Sequence, residues 1–408
     1  MRAFARPMQY YGAALSLAHI VTAYYWLRDT SVVNNFSNEY GHSICWAFLP
    51  NCLDWRFFSE SAARMALFAY GALAAACAGL FLWGKQARLS YFLFLGLSLS
   101  KFYLYLQSYS LMGNYHYMTF LVDWFFLFLP AAHRAIPLLI MFFYFYAGLL
   151  KLNTEWISGA AIPMEWISGQ KFYRDLFLNP NLAIPFSAYG AFIELVVIFG
   201  LLSANRWIFW FAFLNIASFH AFSWGIVGYL YPCIMFCLIS IYPILRFFPV
   251  EGTSIGDSAK RIFQNWRESR LTLAFFSIFM IFQSIHHIMP GDSALTVEYR
   301  MFALNMLDAK TECASSSYAH FEDRVVDLSY EKKNNNFNVR SWCEPYVYFA
   351  RAKAACREFA SEKGFKGISL SLLSKRTTDP NYHKVVEEDD ICGLEYSVLF
   401  PNKWIRKD

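Results

Sequence analysis

Tyr144-Phe145-Tyr146-Ala147-Gly148-Leu149-Leu150-Lys151-Leu152-Asn153-Thr154-Glu155-Trp156-Ile157-Ser158-Gly159 closes an apolar run that starts at Arg134. A helix that crosses a bilayer needs about 20 apolar residues, in a range of about 17–25. The run 134–152 meets that length, and the chemistry changes at Lys151. The following segment, 153–181, is too polar to span. It repeats Glu-Trp-Ile-Ser-Gly at 155–159 and 165–169 around Pro163, as an interfacial aromatic segment or a lid beside Lys151 would. An ammonium at the end of an apolar helix is costly to bury. Two readings follow: the lysine snorkels to the interface, or desolvation disfavours its charged form and leaves an amine that acts as a base.

The same apolar-run criterion, applied outward from this stretch, predicts nine spanning helices near 10–27, 62–83, 90–107, 116–131, 134–152, 182–203, 206–222, 226–247 and 270–289. The chain of 408 residues is 57% hydrophobic and 16% charged, against about 25% charged in soluble domains. The shortfall lies before residue 290. The expected fold is therefore a polytopic α-helical membrane protein: residues 1–289 form the transmembrane domain and 290–408 a small α+β or β-rich extracytoplasmic domain. The first helix reads as an uncleaved anchor. The net charge of +5 comes largely from loop lysines and arginines and forms no basic stripe, so nucleic acid is not an expected partner. Arg2, Arg6, Lys85, Arg88, Arg134, Arg206, Arg246, Lys260, Arg261, Arg267 and Arg270 fall on one side, which the positive-inside rule makes cytoplasmic. The loop 29–61, the turn at Met112-Gly113-Asn114, the segment 153–181 and the C-terminal domain fall on the other.

Cysteine placement agrees with that orientation. Cys45, Cys52, Cys313, Cys343, Cys356 and Cys392 all lie on the predicted outer side, where disulfides persist. Proximity favours Cys45–Cys52; the other pairings stay open among the 15 arrangements of six cysteines. Cys77, Cys233 and Cys237 fall within helices as small hydrophobes. In the C-terminal domain, Tyr346–Phe349 and Gly367–Leu372 read as β-like runs around a helical stretch near 350–363. No phosphate loop, zinc-spaced Cys/His set or hydrolase elbow is present there, and no metal is predicted.

Ionisable residues at membrane depth are expensive and therefore functional candidates. Besides Lys151 they are His116 at the outer start of the fourth helix, Asp123 one face-repeat later, Lys101 in the third helix, Glu194, His220, and the pair His286-His287. Asp123 reads as orienting a histidine or pairing with a lysine, and a structural Asp123–Lys101 pair is the simpler account. Glu194 reads as a neutral acid or as a partner for His220 or Lys151. His286 and His287, as helical neighbours, point about 100° apart.

The pattern Tyr144-x-x-Ala147-Gly148-x-x-Lys151-Leu152-x-x-x-Trp156-x-x-Gly159 resembles the signature of the vitamin K-dependent gamma-glutamyl carboxylases and their bacterial relatives, the horizontally transferred transmembrane (HTTM) domain proteins. The resemblance covers roughly 90–300. It extends to Asn114, His116 and Tyr117, to Phe219-His220, and to His287 before Pro290. Two positions depart: Leu150 stands where a first lysine is common, and Asn153 where an acid is. The C-terminal domain is also much shorter than in the animal enzymes. The resemblance implies a bacterial quinone epoxidase and lyase. Lys151 would deprotonate reduced vitamin K, a menaquinol-type quinol, with His116 and His220 acting on the quinone oxygens. Asn114, Tyr117, Trp156, Glu194 and His287 would contribute to the quinone site. Oxygenation gives a strongly basic alkoxide, which removes a proton from a weak carbon acid such as a glutamyl γ-carbon; carbon dioxide traps the carbanion and quinone epoxide is left. Oxygen and carbon dioxide are the co-substrates, lipid and quinone the partners, and a protein or peptide on the outer side the acceptor. The implied location is the bacterial inner membrane, multi-pass, with the C-terminal domain periplasmic. The alternative is a non-catalytic HTTM-type protein in export, maturation or partner binding, since fold inheritance does not carry function. A transporter is weaker, because no inverted repeat or pair of broken helices is evident.

Overall fold

The computed structural model describes residues 5–38, 44–162, 164–250, 270–304, 309–328 and 343–407. Arg2, Pro163, Lys260, Arg261 and Arg267 lie outside the described residues. Up to Ile288 the described residues form a helical bundle: α1 Arg6–Arg28, α2 Glu60–Trp83, α3 Ala87–Leu106, α4 Asn114–Phe128, α5 Ala132–Leu150, α6 Pro180–Leu195, α7 Arg206–Val227, α8 Leu230–Ile239, α9 Ile241–Phe247 and α10 Arg270–Ile288. Among the described residues, seven helical stretches are long and apolar enough to cross a membrane, as expected of a membrane protein. They are α2, α3, α5, α6 with its 3₁₀ extension to Leu202, α7, the α8–α9 pair, and α10.

Two of the nine predicted spans differ from these seven. The helix at 114–128 has only 15 residues, because Gly113 precedes it and Leu129-Pro130 ends it. At 1.5 Å per residue it extends about 22 Å. The first helix has 23 residues, but Arg6, Gln9, Ser16, His19, Thr22 and Arg28 dilute its apolar character.

Local chemistry sets the helix ends. Ser59 caps α2 by accepting the Ala62 N–H at 3.2 Å, and Gly84 at φ +70° closes it in the left-handed region. Asn205 caps α7 through the Trp207 N–H. Pro180 opens α6 at its first turn, where a missing N–H costs nothing. Within the bundle α5 is the most enclosed helix, while α7 and α10 lie at the periphery. Trp207, Ile208, Phe211 and Leu214 of α7 stay exposed, an outward apolar face that suits lipid contact.

Beyond α10 the chain forms a four-stranded antiparallel sheet in the order β2-β1-β3-β4, with β1 Thr311–Phe321, β2 Val325–Asp327, β3 Phe365–Arg376 and β4 His383–Glu388. Ile368, Leu370 and Leu372 alternate on the buried face of β3, against α11 Pro345–Phe359. The run Tyr346–Phe349, read above as β-like, is instead the first turn of α11. Pro345 opens that helix and all four side chains are buried, so packing overrides the β preference of the run. The gathered residues Ile44, Trp46 and Tyr109 extend this core into the loops of the bundle. Tyr109 donates to Glu344 at 2.7 Å, and Tyr346 donates to the Cys45 carbonyl at 2.6 Å. The sheet domain thus docks on the loops expected to share its side. Three disulfides, Cys45–Cys52, Cys313–Cys343 and Cys356–Cys392, join all six outer-side cysteines, which points to an oxidising compartment.

Candidate functional site

Lys151 is the residue just past α5, and its side chain turns inward. It is 4% exposed, and its Nζ lies 2.5 and 2.6 Å from the two carboxylate oxygens of Glu194. Snorkelling is therefore not its state. Gly148 makes the approach of the two helices feasible: a Cβ there would sit 2.7 Å from Leu195 Cγ and 3.1 Å from Glu194 Cβ. The glycine of the sequence pattern lets α6 come close enough for Glu194, 1% exposed, to reach the amine. Asn153 then fixes the turn. It donates to the Leu150 carbonyl at 2.7 Å and accepts the Trp156 N–H at 2.9 Å, capping the short helix Thr154–Ser158. Trp156 lies with its ring 4.6 Å from Nζ, and the Phe219 ring lies at 5.5 Å on another side. Both contacts are of the cation–π kind. The indole N–H donates to the Ser187 carbonyl at 2.9 Å, which locks the ring.

Lys151 and Trp156 face a cavity of about 770 Å³. Its other lining includes Asn114, His116, Phe219 and Tyr231, with Asp29 and Ser31 at the end of α1. His116 is buried with its ring 5.1 Å from Trp26, and its Nδ1 has no hydrogen-bond partner among the described residues. The cavity therefore joins Lys151, His116, Asn114 and Trp156, with Glu194 behind the lysine. His220 sits one layer deeper. It is fully buried, hydrogen-bonded to the Tyr144 hydroxyl, and its ring packs 5.5 Å from that of Tyr231. Tyr117 points elsewhere, receiving a 3.4 Å hydrogen bond from Gln283 of α10. His287 is exposed at the end of α10, beside the ring of His286. No group of three or more His, Cys, Asp or Glu among the described residues could hold a metal ion.

The expected Asp123–Lys101 ion pair does not form. Asp123 Oδ2 instead takes His19 Nε2 at 3.0 Å, and His19 Nδ1 meets the Tyr70 hydroxyl at 2.6 Å. Sequence reasoning missed His19, although a histidine within an apolar helix is the kind of signal it used for His220.

A second missed element ties the sheet domain to the site. Arg376, at the end of β3, donates to Glu155 at 2.8 Å and grips Asp292 through two bonds at 2.5 and 2.7 Å. Glu155 also accepts the Thr377 N–H and hydroxyl, each at 3.0 Å. Burial works against ionisation of Asp292, but the Arg376 bonds and the Ala294 N–H outweigh it and hold that carboxyl below its ordinary value. Glu155 goes the other way: burial raises it and its partners recover only part of the shift. Glu155 immediately precedes Trp156, so the soluble domain grips the turn that shapes the lysine's surroundings.

Comparison with family models, curated proteins and solved structures finds no match to this chain.

Proposed function

We propose that this chain is a membrane enzyme of the vitamin K-dependent carboxylase type, acting on a bilayer quinol in the bacterial inner membrane with its sheet domain in the periplasm. The observation that carries the reading is the buried Lys151–Glu194 pair at the wall of an aromatic cavity that also receives His116. Burying two opposite charges is expensive. Moving the proton from Nζ to the carboxylate leaves two neutral groups, and the freed amine then faces the cavity. In the reaction Glu194 would take a proton from Lys151, freeing the amine to accept one from a quinol hydroxyl.

The lining fits such a substrate. The volume is within the range of about 300–1,000 Å³ usual for small-molecule sites, and Trp156, Phe219 and Tyr231 offer flat apolar faces. His116 and Asn114 supply polar contacts for a ring oxygen. With oxygen, a bound quinol supplies the strongly basic species needed to abstract a proton from carbon. Lysine alone is far too weak for that step, so the residues' own task is to bind, orient and take the first proton. An acceptor peptide and carbon dioxide would complete the reaction.

The test is epoxide formation by purified protein given reduced vitamin K and oxygen. Wild type is expected to make epoxide, and Lys151→Gln, which keeps a hydrogen bond to protonated Glu194, to lose at least a hundredfold in rate. Undiminished epoxide in the variant would remove Lys151 from the chemistry.

A second reading draws on the Arg376–Glu155 contact: a non-catalytic scaffold whose helices anchor a rigid partner-binding domain, with Lys151–Glu194 as a structural pair. Well-folded wild type that makes no epoxide from vitamin K or menaquinol would favour it.

A further inference from the structure

Behind the cavity wall, four helices each contribute a polar group to one buried cluster. These are His19 of α1, Tyr70 of α2, Lys101 of α3 and Asp123 of α4, all at most 3% exposed. The hydrogen bonds have one consistent direction. Tyr70 O–H donates to His19 Nδ1, and His19 Nε2–H donates to Asp123 Oδ2; this tautomer follows from the network. The chain then stops. Asp123 Oδ1, Lys101 Nζ and the Ser98 hydroxyl one turn before it have no hydrogen-bond partner among the described residues. Among the described residues the amine faces the Phe120 ring, 5.3 Å away. Lys101 is within electrostatic reach of both Asp123 and His116.

An ammonium so enclosed needs hydrogen bonds to be tolerated. Internal water supplies them where buried polar atoms lack protein partners, and Ser98 Oγ, Lys101 Nζ, Asp123 Oδ1 and His116 Nδ1 are all buried without a hydrogen-bond partner among the described residues. His116 belongs to both compartments, since its ring lines the cavity while its Nδ1 is buried.

We propose that Lys101, Asp123 and His19 form a buried, water-holding proton relay behind the cavity, entered through His116. A proton arriving on His116 from the cavity leaves Nδ1 for a bridging water. That water passes one of its own protons to the Asp123 carboxylate while the Lys101 ammonium donates to the water and holds it in place, so N–H and O–H bonds are exchanged with no change in oxidation state. The relay rests on the quinol reading only for the source of its protons.

The experiment needs no quinol, so its outcome is separate from the epoxidation assay. Protein labelled with ¹⁵N-histidine is placed in detergent, and exchange of the His19 ring N–H with water is measured by nuclear magnetic resonance. The His19 signal is assigned by its loss in His19→Gln. Exchange is expected to be at least tenfold slower in Lys101→Met and to recover in Lys101→Gln, whose polar head retains the water. The isosteric Asp123→Asn supplies a second variant with the same slowing. Unchanged His19 exchange in folded Lys101→Met or Asp123→Asn would overturn the relay.

Discussion

Lys151 and Lys101 are both buried in the same bundle, yet their surroundings are opposite. Lys151 closes α5 against a carboxylate that takes it with both oxygens, and two aromatic rings flank the pair. Lys101 lies within α3 with the Phe120 ring 5.3 Å from its amine and no hydrogen-bond partner among the described residues, while Asp123 gives one oxygen to His19. A paired charge is locked into the fold, and removing either partner exposes the desolvation cost of the other. An unpaired one costs stability where it stands, and its retention calls for a use. The contrast is between an amine whose partner is built into the fold and one left without a hydrogen-bonding partner among the described side chains.

The same substitution at the two positions tests that separation most strongly. Lys151→Met strands Glu194 and is expected to destabilise the detergent-solubilised protein by about 3–5 kcal/mol. Lys151→Met combined with Glu194→Leu should recover most of the loss. Lys101→Met should leave the unfolding midpoint unchanged or raise it. Equal losses at both lysines would break the comparison.

The next largest effect concerns the grip on the neighbouring turn. Arg376→Ala removes charged hydrogen bonds from two carboxylates and should cost about 2–3 kcal/mol in docking of the sheet domain. Protease susceptibility of the short helix Thr154–Ser158 would report it. Gly148→Val should cost about 1–3 kcal/mol by overpacking against Leu195. It should also weaken the Lys151–Glu194 pair while leaving the Lys101 cluster as it was.

The smallest effects are in pH. Asp292 has a folded pKa below its ordinary 3.8, so its contribution is full above that value and is lost as pH falls through the lower folded value. Glu155 has a folded pKa above 4.5, so its contribution is present below 4.5 and is lost as pH rises through the folded value. The two oppose each other at one arginine. Docking of the sheet domain, followed by tryptophan fluorescence, should strengthen slightly as pH falls from 6 to 4.5, where only Glu155 titrates, and weaken below 3.8, where Asp292 does. Asp292→Asn should remove the acid-side weakening, and Glu155→Gln should change stability at neutral pH by less than about 1 kcal/mol.

These contrasts were unevenly legible in the sequence. Apolar runs gave the helices, because a bilayer imposes a length that a single chain segment must satisfy alone. The exceptions show its limit: α4 is short because its ends are set by Gly113 and Pro130, and it is enclosed by other helices. Lys151 could be picked out by its position, and Glu194 was weighed as its partner. Their meeting depends on the close helix approach at Gly148, which only the fold reveals. The His19–Asp123 bond joins residues 104 positions apart, beyond any local periodicity. Asp123 was expected to seek the cation Lys101, but the helix packing put a histidine in its reach first. Arg376 carried no signal at all, being one arginine among many at the end of an ordinary strand.

The grip on Glu155 comes from a residue 221 positions later in the chain. During synthesis, the helices can be inserted and packed long before the ribosome has delivered Arg376. Until then Glu155, destined to be almost wholly enclosed, has neither its arginine nor its threonine. The turn beside Lys151 is thus completed only once β3 and Thr377 have been translated. A chain halted before β3 would be a threaded bundle with an unfinished site, so maturation of the cavity is tied to the arrival of β3.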